Sequence, residues 1–262
     1  MEKEKHCMTP SKDYAGIAAI AWQLFSGEEP GADYPQFERL IQEQKGPALD
    51  VGCGTGRLLL PLLQAGLDVD GVEPSEDMLA ICRQRAGERR LSPTLFQQQL
   101  QTLDLPRRYR TIMVPCGTLQ LVVPLEEVWE ALRRLYAHLE AGGVLALTVF
   151  PPTDELDRTK WGEWSFRARE ALPDGTEIEK HGLIESANLT EQTLRCSVRY
   201  RRYRAETLLE ERLCDTPERW FWPHELVLML EKVGFRVLCI TGNYTDAPAT
   251  DEHYVHTYFA AK

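Results

Sequence analysis

Apolar and polar positions along this chain follow two rhythms, and the change between them divides it. From Ala48 to Phe150, short apolar runs alternate with stretches in which apolar residues recur every three or four positions. The short runs predict strands at Ala48–Val51, Asp68–Glu73, Thr94–Gln98, Thr111–Pro115 and Val144–Phe150, with helices between them. The clearest helix lies in PLEEVWEALRRLYAHLEAGG. Leu125, Val128, Trp129, Leu132, Leu135, Tyr136 and Leu139 keep helical spacing there, and Gly142-Gly143 are expected to end it. Ser75 is placed to cap a helix starting at Glu76, with Asp77 suited to its positive end. Strands alternating with helices imply a parallel sheet covered on both faces.

Two helices are expected before this region. DYAGIAAIAWQLF offers Asp13 as an acidic cap and Ser26-Gly27 as a stop, and DYPQFERLIQEQ sets Phe37, Leu40 and Ile41 on one face. The rhythm breaks after Phe150. WSFRARE, TEIEKHGLIESAN, TLRCSVRYRRYRAE and LLEERLCD read as long alternating strands, with turns at Asp174-Gly175 and Asn188-Leu189-Thr190. The α/β pattern then resumes with a helix from Pro223 to Gly234 and a strand at Arg236–Gly242. A last strand at His253–Lys262 is reached by only a loop, which favours an antiparallel pair. Four segments follow: a helical cover over 1–45, an α/β core over 46–150, an inserted antiparallel region over 151–218, and completion of the core over 219–262.

Composition narrows the function classes. With 43% hydrophobic and 27% charged residues, the chain reads as an ordinary globular protein. It has no apolar run of the roughly 18 residues a membrane span needs. The charged start MEKEKHCMTPSKDY has no apolar signal core, so a cytoplasmic location is expected. A net charge of −10 works against binding nucleic acid in bulk. The seven cysteines are odd in number and hold no CxxC pair, which predicts reduced thiols and no metal site.

The chemistry concentrates in ALDVGCGTGRLLLPLL. Gly52, Gly54 and Gly56 follow a buried strand and open a helix, the usual binding crevice of an open α/β sheet. No P-loop lysine is present. The dinucleotide spacing GxGxxG also fails, because Arg57 and Leu59 stand where the third glycine belongs. The pattern is instead DxGxGxG. Asp50 there can accept hydrogen bonds from a cationic amino group. Glu73 ends the second strand about 20 residues after Gly52, where an acid can accept both ribose hydroxyls. An amine and a ribose without phosphate describe S-adenosylmethionine.

On these residues the chain resembles the class I S-adenosylmethionine-dependent methyltransferases. LDVGCGTG resembles that family's first motif and VDGVEPSEDML its second, over about residues 46–150 and more loosely 223–262. A small-molecule methyltransferase subgroup is the finer likeness. The resemblance implies an α/β fold: a doubly wound, Rossmann-like seven-stranded sheet, mostly parallel with an antiparallel last strand, plus the inserted antiparallel β-sheet after the fifth strand. It implies that Asp50, Gly52, Cys53, Gly54, Thr55 and Gly56 surround the methionine part of the cofactor. Glu73 would hold the ribose, with Pro74 and Met78 near the adenine. Gln99 and Leu100 stand where the family shows an acid followed by an apolar residue; a glutamine carbonyl still accepts from an amino group. Pro115 and Cys116 would face the reactive methyl group, and Tyr14 would cover the cofactor.

The expected function is methyl transfer from S-adenosylmethionine to a small-molecule acceptor by in-line displacement, mainly through positioning, leaving S-adenosylhomocysteine. An RNA or protein methyltransferase and a non-catalytic S-adenosylmethionine-binding protein are the alternatives. No catalytic base is identified: His138 sits on a helix face away from the pocket, and His181 and His224 suit structural or surface roles. The inserted strands are expected to form a substrate lid or a homodimer surface. Trp161, Trp164, Phe166, Tyr200, Tyr203, Trp220 and Trp222 give them either an aromatic wall or packing onto the core. Arg195, Arg199, Arg201, Arg202 and Arg204 are expected to pair with Glu206, Glu210 and Glu211 across a hairpin rather than to bind RNA.

Overall fold

The computed structural model describes residues 14–27, 30–152 and 154–262. The expected Asp13 cap and Cys7 lie outside them. Helices α1 (Ile17–Ser26) and α2 (Tyr34–Gln44) come first. Then follow β1 (Ala48–Val51), α3 (Leu59–Gln64), β2 (Val69–Val72), α4 (Glu76–Glu88), β3 (Leu95–Phe96), β4 (Tyr109–Val114), α5 (Leu125–His138) and β5 (Leu139–Val149). The inserted strands are β6 (Ser165–Ala171), β7 (Glu177–Asn188), β8 (Thr193–Arg204), β9 (Thr207–Asp215) and β10 (Glu218–Arg219). Helix α6 (Pro223–Val233), β11 (Arg236–Gly242) and β12 (His256–Ala261) complete the chain.

The main sheet has seven strands in the order β11-β12-β5-β4-β1-β2-β3. Strands β1 to β5 pair in parallel, and β12 runs antiparallel to both β5 and β11. All four residues of β1 and of β2 are buried, as a sheet covered on both faces requires. Alternation along β1 sends Leu49 and Val51 to one layer with Val128 and Leu132 of α5 and Leu226 and Leu230 of α6. Ala48 goes to the other layer, with Phe37 and Leu40 of α2 and Leu59 and Leu62 of α3. The apolar face read in α2 is therefore a core face of the main sheet.

The expected helix stop at Gly142-Gly143 is wrong. Helix α5 ends at His138, and Leu139 already pairs with Tyr109 in β5. The pairing register then jumps from Leu139 to Val144, so the glycines lie in a bulge inside the strand. Gly142 takes a φ of 73° there. Its N–H donates to the Lys262 carbonyl, 3.0 Å away. A contact with the chain's far end overrides the local turn signal.

The insertion forms a second, five-stranded antiparallel sheet. Helix α1 lies on it: Ile17, Ala18 and Ala21 pack with Ile178, Tyr200 and Cys214. Part of the expected charge pairing is present, since Arg201 bonds Glu211 across β8 and β9. Arg202 turns instead to Asp174 at 2.7 Å and Arg195 to Glu185 at 3.5 Å. The aromatic set divides: Trp220 and Tyr200 are buried, whereas Phe166 and Trp222 are exposed.

Candidate active site

The turn from β1 to α3 is held from below. The N–H groups of Gly52 and Cys53 donate to the Val72 carbonyl at 2.8 and 3.0 Å. Gly52 and Gly54 have φ values of 77° and 54°, in the left-handed region where glycine is favoured. Their surroundings differ. A Cβ on Gly52 would lie 2.6 Å from Thr118 Oγ1, whereas one on Gly54 would reach nothing nearer than Trp22 Nε1 at 3.5 Å. Gly52 is thus a packing requirement, and Gly54 is the turn's open position.

Asp50, in β1 just ahead of the turn, is 1% exposed, and its Oδ1 has no hydrogen-bond partner among the described residues. Burial pushes its carboxyl up to about 7, with the Arg57 charge working against that and Asp33 and Glu73 adding to it. A buried acceptor without a donor costs free energy unless a ligand satisfies it. Glu73 is also buried. Its Oε2 accepts the Gly54 N–H at 3.2 Å and its Oε1 the Ser75 N–H at 3.0 Å. Ser75 caps α4 as expected, accepting from the Met78 N–H at 3.3 Å, and its hydroxyl bonds the Tyr14 carbonyl. Asp77 accepts from the Gly16 N–H at 2.6 Å. Through these bonds the chain leading into α1 is fastened to the second strand's end. The Tyr14 ring meets Trp22 edge-on at 5.4 Å, and Trp22 covers the open side of Gly54.

Other sequence-predicted residues divide by what they present. Cys53 is buried in the core layer with Leu59 and Leu60, so its backbone, not its thiol, belongs to the turn. Thr55 is buried, and its carbonyl accepts from Arg85 at 2.7 Å. Pro74 is exposed, while Met78 and Leu100 are buried. Gln99 is exposed, and its Oε1 accepts from Gln101 at 2.9 Å. The Pro115 carbonyl accepts from the Thr118 hydroxyl at 2.7 Å. Cys116 takes a φ of 53°, and its sulfur accepts from Arg57 at 3.1 Å. Burial raises its thiol, which keeps it protonated despite Arg57.

None of the three histidines stands at the turn. His138 is buried and accepts the Leu105 N–H at 3.0 Å; His181 lies 3.3 Å from Glu179 in the inserted sheet; His224 is exposed at the start of α6. Two residues that sequence reasoning missed brace the site. Asp33 is buried and holds Arg57 through two bonds of 2.7 and 2.6 Å. Gln120 accepts the Phe150 N–H at 2.7 Å and donates to the Phe150 carbonyl at 3.0 Å, tying the loop after β4 to the end of β5. No motif marks either one.

A family model described as "Methyltransferase domain" matches residues 48–143. "Putative methyltransferase YqeM" of Bacillus subtilis (strain 168) is 25% identical over 244 residues, covering 89% of this chain and 90% of that protein. The "dTDP-3-amino-3,6-dideoxy-alpha-D-glucopyranose N,N-dimethyltransferase" of Streptomyces fradiae is 29% identical over 193 residues, covering 67% and 73%. Among solved structures, a methyltransferase from Clostridium acetobutylicum ATCC 824 superposes with a TM-score of 0.76 at 16% identity, over 94% of this chain and 97% of that one. That likeness is one of fold.

Proposed function

We propose that this chain, whose residues 48–143 match a methyltransferase-domain family model, is a class I S-adenosylmethionine-dependent methyltransferase that transfers a methyl group from that cofactor to a small-molecule acceptor. The observation that carries this reading is the buried, half-satisfied Asp50 carboxyl ahead of a glycine turn whose open position is flanked by Glu73. In this reading Asp50 receives the ammonium end of the cofactor and Glu73 the ribose hydroxyls. Gly54 leaves room for close approach, Met78 and Leu100 give the adenine an apolar floor, and Gln99 offers it a carbonyl. Tyr14 and Trp22 close over the top and exclude water.

When bound, S-adenosylmethionine supplies a methyl group on a positively charged sulfur, ready for direct displacement. The chain's task is then to hold and dry the site and to aim the acceptor. Residues 46–150 and 219–262 hold the cofactor, and residues 151–218 with α1 form the acceptor lid. The sulfur of Cys116 takes no part as a nucleophile. A small acceptor fits the charge distribution: the net charge is −10, and Arg195, Arg201 and Arg202 of the basic strand are paired with carboxylates. The Streptomyces fradiae relative, by its name, dimethylates an amino sugar.

The described residues contain no helix long and apolar enough to cross a membrane, and their cysteines are free thiols. Both suit an enzyme working in the cytoplasm. Leu208, Leu209 and Leu213 are exposed on β9 and make this edge the surface for a homodimer. A screen for S-adenosylhomocysteine release against amines, phenols and carboxylates tests the activity. Release with one class supports it, and cofactor binding without release from any class identifies a binding protein instead.

A further inference from the structure

A cavity of about 30 Å³ separates the core from the inserted sheet. Gln120, Phe150 and Trp220 line it from the core and Glu155 and Glu218 from the insertion, with Arg219, whose Nε–H donates to the Val123 carbonyl at 2.7 Å, at the junction. Its volume suits one water or one ammonium group. Two of its polar groups have no hydrogen-bond partner among the described residues. Trp220 is 2% exposed, and its indole N–H finds no acceptor among the described residues. Buried indole N–H groups ordinarily have one. The half-buried Glu218 carboxylate makes no hydrogen bond or salt bridge among the described residues.

The cavity adjoins the candidate cofactor site. Gln120 and Phe150 crowd Gly117, next to Cys116: a Cβ on Gly117 would lie 2.9 Å from each of their side chains. Tyr14, whose carbonyl accepts from the Ser75 hydroxyl, is near enough to both Glu218 and Glu73 to feel their charges.

We infer that this cavity is the acceptor subsite for an amine, with Glu218 receiving the ammonium group and the Trp220 N–H meeting an oxygen beside it. The inference rests on the methyl-transfer reading and specifies its acceptor. The Glu218 carboxylate attracts a cation and repels a carboxylate or phenolate. Burial raises the Glu218 carboxyl to about 7, Glu155 adds to this and Lys180 opposes it. Lys180 is itself weakened as a cation by burial and by Arg167. Tyr14 and Cys196 also feel Glu218, and both are uncharged near neutrality because burial raises them.

Glu218 is therefore a base matched to neutral pH. It takes one proton from the bound ammonium, leaving a neutral amine whose lone pair forms the new carbon–nitrogen bond. The sulfur–methyl bond breaks in the same step, and its electron pair stays on sulfur. The product leaves as a methylated ammonium, and Glu218 returns its proton to solvent. An alcohol acceptor would need a far stronger base.

The test uses the whole chain and a carbon-13 titration of its glutamate carboxyls, with the Glu218 signal assigned by its loss in Glu218→Gln. Methylammonium chloride is compared with potassium chloride at equal ionic strength. The expected result is a midpoint near 7 in potassium that falls in methylammonium by about half a pH unit or more. Equal midpoints in the two salts overturn the inference, and Glu218→Asp, which removes the signal from the glutamate set, supplies the assignment if Glu218→Gln fails to fold. S-adenosylhomocysteine binding, measured by calorimetry on the same samples, is expected to be unchanged in Glu218→Gln. Its absence from the wild type sinks the methyl-transfer reading separately, whatever methylammonium does.

Discussion

The Arg57 guanidinium grips the Asp33 carboxylate through two hydrogen bonds of 2.7 and 2.6 Å. Their side chains are 12% and 3% exposed. Arg57 follows the glycine turn and Asp33 is the residue before α2, so the pair joins the turn to the N-terminal region. Its stability role is conditional, because both charges are taken out of water.

Removing one member should therefore cost more than removing both. Arg57→Met leaves Asp33 buried without a counter-charge and is expected to lower unfolding free energy by about 3–5 kcal/mol. The double variant Arg57→Met, Asp33→Leu is expected to recover most of that. Urea denaturation checks this, and a loss below about 1 kcal/mol for the single change contradicts it.

The glycines of the turn should separate packing from binding. Gly52→Ala drives a Cβ into Thr118 at 2.6 Å and is expected to lower the melting temperature markedly. Gly54→Ala meets only an ordinary contact and costs about 1 kcal/mol for its left-handed φ. Its cofactor affinity is nonetheless expected to fall at least about tenfold, or 1.4 kcal/mol. Thermal melts and calorimetry on the two variants distinguish them.

Asp50 should trade stability for binding. Its carboxyl is raised on folding from 3.8 to about 7, so the folded state holds the proton more tightly across that window. Stability from this group is intact below pH 4 and falls as pH rises toward 7, by up to about 4 kcal/mol. Asp50→Asn removes the loss. It is expected to melt above the wild type at pH 8 and level with it near pH 4, while binding the cofactor at least about tenfold more weakly. Wild-type affinity should weaken by about tenfold per pH unit below 7, as binding must then displace the proton.

Gln120 should be needed for the geometry between the loop after β4 and the end of β5. Gln120→Leu leaves the Phe150 N–H and carbonyl without their partner. A stability loss of about 2 kcal/mol is expected in chemical denaturation. S-adenosylhomocysteine affinity should change less than twofold.

The parts of the site made by neighbouring residues were legible in the sequence. The glycine turn, Asp50, the Ser75 cap and Glu73 lie within two strand–turn–helix units, so spacing places them. The β7–β8 turn and the α6 boundaries were readable for the same reason. What was not legible depends on contacts between distant segments. The Gly142-Gly143 signal was a sound turn signal captured by Lys262. Arg57 breaks a dinucleotide pattern, but nothing in the sequence pairs it with Asp33. Glu218 follows Thr216-Pro217 with no motif; its burial arises when the inserted sheet closes on the core. The run ERWFW, two charges of opposite sign against three aromatics, is the one hint available.

Calorimetric titration of the protein with S-adenosylmethionine at pH 7.5, beside Glu73→Ala and with NAD as the control ligand, tests the central claim most directly. The expected result is saturable one-to-one binding in the micromolar range, weakened at least about tenfold in Glu73→Ala, with no heat from NAD. No binding at millimolar S-adenosylmethionine, or equal binding of NAD, contradicts it.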